Sequence, residues 1–325
     1  MYKFTQPIVI QFIHPSSEDL KKENGIKPWN TGKHKRNFIV SAGKVVSSLE
    51  GRLQKSRQIS FWGEWEPEAK IRETYNKKSP YPCRSIEPLF PKGGKLTRST
   101  SSCGKSSCNS KCGGAGYINT DPFVFGNNFK YSNCRQYTNK GKSKTILQNL
   151  PSGSIILFGS CIKQNKKDVF VLDTVFVVQE SIKYIPKEHS ELHSNLKNDY
   201  ELFKAVTLDS LNKGKDAGKK FTLYLGRSFN NRNRKNFSFV PCDKNGKSFA
   251  KVALTKKDMP ELNMRLQTFK VLKKSKNNYL NPQEVWEKMA GVVLDKGLSL
   301  GVHFDNVSPS PQANNKRHSL DAESK

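Results

Sequence analysis

Short runs in which apolar and polar residues alternate dominate the first two thirds of the chain. "PIVIQFI" (7–13), "QISFWGEW" (58–65), "GSIILFGS" (153–160), "VFVLDTVFVV" (169–178) and "KFTLYLG" (220–226) are rich in β-branched and aromatic residues and are bounded by Gly, Pro, Ser or Asn, which is the pattern of strands. Helical spacing is rarer. "HSELHSNLKNDYELFKAVT" (189–207) and "NPQEVWEKMAGVVLDKG" (281–297) carry apolar residues three or four apart, and the second opens on Asn281 as an N-cap and closes at Gly297. The pattern predicts an α+β protein with a curved, mostly antiparallel β-barrel and flanking helices.

Two stretches break the pattern. "KGGKLTRSTSSCGKSSCNSKCGGAG" (92–116) and "VSPSPQANNKRHSLDAESK" (307–325) hold few core-forming residues, so the first reads as a flexible insertion and the second as a disordered tail. Residues 1–306 read as a single globular domain, since 325 residues suffice for a sizeable core. No run of about 18 apolar residues is present to span a membrane. The apolar start "MYKFTQPIVIQFIHP" lacks a small-residue cleavage site, so a cytoplasmic protein without membrane contact is expected. Seven cysteines are too few and too scattered for a disulfide framework. Cys103, Cys108 and Cys112, with Cys83 upstream, match no common zinc spacing, and no metal site is expected there.

Charge narrows the class of partner. Against 28 Asp and Glu stand 56 Lys and Arg, a net charge of +28. The basic residues are spread along the chain, as in "KHKR" (33–36), "RNRK" (232–235) and "KVLKKSK" (270–276), so the folded body itself attracts a polyanion, with nucleic acid (DNA or RNA) the expected partner. The alternative is a compositional bias towards Lys and Asn.

Within this basic chain, "ISFWGEWEPEAK" (59–70) concentrates two tryptophans and three glutamates. As a strand it puts Trp62, Glu64 and Glu66 on one face and Phe61, Gly63 and Trp65 on the other. The first face joins an aromatic plane to carboxylates that can accept from exocyclic amino groups; the plain alternative is a barrel strand with Trp65 in the core. "KPWNTGKHKRNF" (27–38) adds Trp29, His34 and Arg36, a combination of stacking surface and donors suited to a phosphate or base. In "NTDPFVFGNNFKYSNCRQ" (119–136), Asp121 suits a turn, while Phe123, Phe125, Phe129 and Tyr131 exceed what one short core segment needs. Asp173 shares the alternation face of Val171 and Val175, so it is expected to be buried and to need donors, from Arg135, His34 or a backbone turn.

The order "DPFVFG", a basic connector, "L..L..GSIILFGS" and then "FVLDTVFVV" is similar to the bacterial nucleotide-modification-associated domains and, more loosely, looks like the PUA, ASCH and EVE group of small β-barrels. The likeness covers residues 119–178, with Ser154 where that group has an acidic residue. It implies a PUA-like barrel with a pocket for a base or modified nucleotide, in a bacterial DNA or RNA modification or defence system. The expected nucleic-acid-binding set is Trp29, His34, Arg36, Trp62, Glu64, Phe125, Tyr131, Arg135 and Asp173. An enzyme reading uses Glu64, Glu66, Asp121 and Asp173 as a divalent-metal group of a nuclease, with His14 or His34 as general base. No P-loop, GxSxG or HExxH motif occurs, and no cofactor is expected. A basic adaptor for a partner enzyme is the third alternative.

Overall fold

A computed structural model describes residues 4–14, 25–28, 36–74, 83–90, 120–138, 143–164, 166–212, 216–230, 235–265, 268–305 and 307. The insertion at 92–116, the tail beyond Val307, Trp29, His34, Cys103, Cys108 and Cys112 lie outside the described residues. In chain order the strands are β1 (Val9–Ile13), β2 (Gly25–Pro28), β3 (Arg36–Val46), β4 (Gln54–Glu64), β5 (Glu68–Thr74), β6 (Cys83–Pro88), β7 (Lys130–Tyr131) and β8 (Ile155–Gln164). They continue with β9 (Lys167–Tyr184), β10 (Phe221–Gly226), β11 (Val240–Asp243), β12 (Ala253–Leu254), β13 (Phe269–Val271), β14 (Lys273–Ser275), β15 (Asn278–Tyr279) and β16 (Ser299–Phe304). The five runs predicted as strands are all strands.

The long strand β9 separates two cores. It belongs to a sheet of order β13-β1-β8-β9-β10-β7, with β12 also pairing β9. Phe176 and Val178 join one apolar cluster with Phe12, Phe158 and Tyr224. Val175 and Val177 join the other, under Trp286 and Met289, as period-two alternation requires of a strand covered on both faces. The alternation breaks at Asp173. Phe158 of β8 pairs Thr174 while the next residue, Gly159, pairs Leu172, which leaves Asp173 as the extra residue of a β-bulge. Val171 therefore packs with Trp62 while Val175 packs in the other cluster, and the single alternation face expected for Val171, Asp173 and Val175 is corrected. Gly159 permits the kink, because a Cβ there would collide with Val171 O and the Phe170 ring.

The second sheet runs β16-β11-β4-β3-β6-β5-β2, and β16 also pairs β3. Strands β3, β4, β11 and β16 thus close into a small antiparallel barrel. The barrel is drawn from residues 36–64 and 240–304, whereas β7, β8 and β9, within or overlapping the 119–178 stretch that carries the PUA-like resemblance, belong to the other sheet. The fold is mostly β and mostly antiparallel, with β1–β8 and β3–β6 the parallel pairs.

The second predicted helix forms as α4 (Pro282–Asp295): Asn281 Oδ1 accepts from Gln283 N at 2.8 Å, and Gly297 takes φ +71° after the last turn. The first does not form as one helix. Residues 186–212 fold as short turns that include α1 (Leu192–Leu196), α2 (Tyr200–Phe203) and α3 (Asp209–Asn212), interrupted at Lys197, φ +47°. Leu192, Leu202, Phe203 and Val206 still reach the first core, so the apolar spacing reports burial of a segment without requiring one continuous axis. Asp199 in this segment accepts from the buried Lys130 Nζ at 2.9 Å and from Asn127 N at 2.9 Å. That pairing locks "DPFVFG" to the helical turns. Gly126 allows it, with φ +84° and a Cβ position that would fall on the Asp199 carboxylate.

Candidate functional site

Arg36 opens β3 and Glu64 closes β4, and the hairpin register sets them directly opposite one another. The bulge on β9 aims Asp173 at the same point. Arg36 Nε donates to Asp173 Oδ2 at 2.9 Å, and its NH2 group lies 3.4 Å from Glu64 Oε2. All three residues are buried: Arg36 is 1% exposed, Asp173 3% and Glu64 8%. One guanidinium between two carboxylates links the two sheets at this point. Burial pushes the Asp173 carboxyl above its ordinary range; Arg36 opposes that rise and Glu64 adds to it.

The three side chains line a cavity of about 10 Å³, with Phe61, Gly63, Pro122, Val124 and Thr174 completing the wall. That is room for about one water. Asp173 Oδ1 meets no donor within hydrogen-bond distance among the described residues, so the wall presents an acceptor beside a guanidinium. Pro122 and Val124 bring the "DPFVFG" segment to the same place.

Asp121 anchors that segment. Its two oxygens accept from the backbone N–H groups of Ser132, Asn133 and Cys134 at 2.9, 3.0 and 2.8 Å, which pins the turn carrying Cys134. Burial pushes the Asp121 carboxyl up to about 6, with the three N–H groups pulling the other way. Since the folded value lies above the unfolded one, this group stabilises the fold below about pH 4 and loses that contribution as pH rises through the folded value. Wild type is expected to lose about 3 kcal/mol relative to Asp121→Asn between about pH 4 and 7. Urea melts of both across that range test this, and a difference that stays constant with pH would contradict it. The half-buried Cys134 thiol is pushed well above its usual range by burial and by the charges of Asp121, Glu64 and Glu66, which argues against a thiolate nucleophile.

The other expected site residues go elsewhere. Trp62 is 6% exposed; Phe38 meets its ring edge-on at 5.2 Å and Lys251 Nζ stands 3.7 Å from the ring centroid. Phe125 is fully buried between Trp65, Phe61 and Phe304. Tyr131 is also fully buried, stacks on Tyr224 and donates its hydroxyl to Cys134 O at 2.6 Å. Neither offers a face to a ligand, which corrects the expectation for both; the surplus of aromatic residues serves a core shared by two sheets. Arg135 is half-buried at φ +60°, and its carbonyl accepts from Thr145 Oγ1 at 2.8 Å. Asp173 takes a donor from Arg36, which was not among the donors expected for it; His34 lies outside the described residues. Glu66, which the sequence set on one face with Trp62 and Glu64, is fully buried with its N–H donating to Thr120 Oγ1 at 3.2 Å.

No known protein family, characterised protein or solved structure matches the chain. Among the described residues, no group of three or more His, Cys, Asp or Glu is arranged to hold a metal ion, and no helix is long and apolar enough to cross a membrane.

Proposed function

We propose that the protein binds nucleic acid and that the Arg36–Glu64–Asp173 centre meets the edge of an exposed or flipped base. The observation that carries this reading is the convergence of those three residues, drawn from separate stretches of a chain of net charge +28, on one cavity. A guanidinium donates to ring-nitrogen and oxo acceptors of a base, and a carboxylate accepts from an exocyclic amino group. The cavity admits such a group and not a whole ring. The surrounding positive charge supplies the sequence-independent part of the affinity. The resemblance at 119–178 supports a modified base as the target, in a bacterial modification or defence system. A metal-dependent nuclease needs carboxylates free to take a cation; here Arg36 already stands between Glu64 and Asp173.

Binding of the full chain to labelled single- and double-stranded DNA and RNA, in chelator and in Mg²⁺ or Mn²⁺, tests the proposal. Binding that persists in chelator with the nucleic acid intact is expected. Cleavage that appears only with the metal would replace it by the nuclease reading, and absence of binding at low salt would overturn it.

A further inference from the structure

Three segments distant in sequence meet in an open groove of about 960 Å³ beside the β8–β9 hairpin. The hairpin contributes Lys167, the stretch after β12 contributes Lys256, Lys257 and Arg265, and the "KVLKKSK" segment contributes Lys270, Lys273 and Lys274. Against these cations the lining has two carboxylates, Asp168 and Glu261. The 14 lining residues therefore carry five net positive charges, where the chain average of +28 over 325 residues would give about one. The groove gathers this charge from three segments, one of them the basic run 270–276.

The floor of the groove is fixed. Fully buried Gln11 on β1 donates through Nε2 to Asn263 O at 3.2 Å and accepts from Asn263 N at 2.9 Å through Oε1. Met259 and Leu262 are buried in the core beneath, and Asp258 closes the turn by accepting from Thr255 N and Oγ1 at 2.7 and 2.8 Å. The charged ends above this floor are mostly uncommitted. Lys274 reaches Glu284 at 3.6 Å and Lys273 lies over Tyr279, whereas Lys167, Lys256, Lys257, Lys270 and Arg265 have no carboxylate within ion-pair distance among the described residues.

We infer that this groove grips the phosphodiester backbone of a nucleic acid. The inference rests on the nucleic-acid reading above and assigns the surface that carries most of its affinity. Among the described residues the lining has no aromatic ring, so these residues offer no platform on which to stack bases. Six of its seven cations are lysines, compact point charges suited to phosphate, where bidentate reading of guanine would call for arginine. The grip is thus on backbone and indifferent to sequence. Along β9, Lys167 stands six residues from Asp173, about 20 Å of extended strand. A strand held in the groove can reach the buried centre within a few nucleotides.

The test compares two triple variants of the full chain with the same reduction in charge, Lys256→Ala/Lys257→Ala/Lys270→Ala in the groove and Lys55→Ala/Lys70→Ala/Lys187→Ala at exposed positions outside it. Each is first checked for wild-type melting, and affinity for a labelled duplex and for its single strands is then measured against salt. The groove triple is expected to flatten the slope of log affinity against log salt by roughly three, about one for each phosphate left without its lysine, and to weaken low-salt binding at least about tenfold more than the other triple. Equal weakening in both triples, with wild type binding well, would overturn the groove while leaving the nucleic-acid reading standing. Wild type that ignores nucleic acid but binds polyglutamate or anionic vesicles would overturn both.

Discussion

Arg36→Ala is expected to destabilise the fold by about 3–5 kcal/mol, because it leaves Glu64 and Asp173 buried without their shared cation. The loss should exceed what the volume of the side chain alone predicts. Arg36 and Asp173 come from different sheets, so the effect reaches both cores. Two further variants separate charge from packing. Arg36→Lys keeps the charge but not the fork that serves two carboxylates, and it should fall between wild type and Arg36→Ala. Arg36→Met combined with Glu64→Gln and Asp173→Asn removes all three charges and should recover much of the stability, since replacing a whole buried ionic group is far milder than breaking it. Denaturant melts of this set decide the matter. If Arg36→Ala and the triple variant were destabilised by the same amount, the centre would be packing and nothing more.

Trp65→Ala should cost about 3–5 kcal/mol through the cavity it leaves. Its indole is fully buried, packs edge-on against Phe125 at 5.2 Å and donates from Nε1 to Glu68 O at 3.0 Å. Trp62→Ala should come out at the lower end of the same range or below it. Its smaller cluster is completed by Phe38, Ile162 and Ala253, which are only partly buried and can close over the gap. In binding, Trp62→Ala should change little, because the ring already lies against Phe38 and Lys251. A folded Trp62→Ala protein with diminished affinity would mean that Lys251 gives way to a ligand on the ring.

What the chain's pattern made legible was local. Every strand run that combined β-branched residues with a turn residue at its edge became a strand, and the Asn281 cap and Gly297 stop bounded α4 as expected. The alternation at 61–65 was also readable, since Phe61 and Trp65 share a core that excludes Trp62. The partner of Asp173 was not. It lies 137 residues away, and the bulge that aims it needs Gly159, where a side chain would collide with Val171 O and the Phe170 ring, a three-dimensional condition that one sequence does not display. The closed barrel was hidden for a related reason. It joins β3 and β4 to β11 and β16, more than 170 residues later, through pairings that leave no local periodicity. The aromatic residues at 123–131 looked excessive only because the two sheets they fill between could not be seen. Basic residues were counted correctly from the sequence, but their concentration in one groove depends on three segments meeting.

The most direct test of the account is the affinity of the wild-type chain for one labelled duplex and one labelled single strand, titrated with salt in the presence of chelator. Nucleic-acid binding through lysine–phosphate contacts predicts a linear fall of log affinity with log salt, at a slope of about −0.9 on the duplex for each phosphate neutralised and therefore several units steep. A flat response, or no binding at the lowest salt, would contradict it.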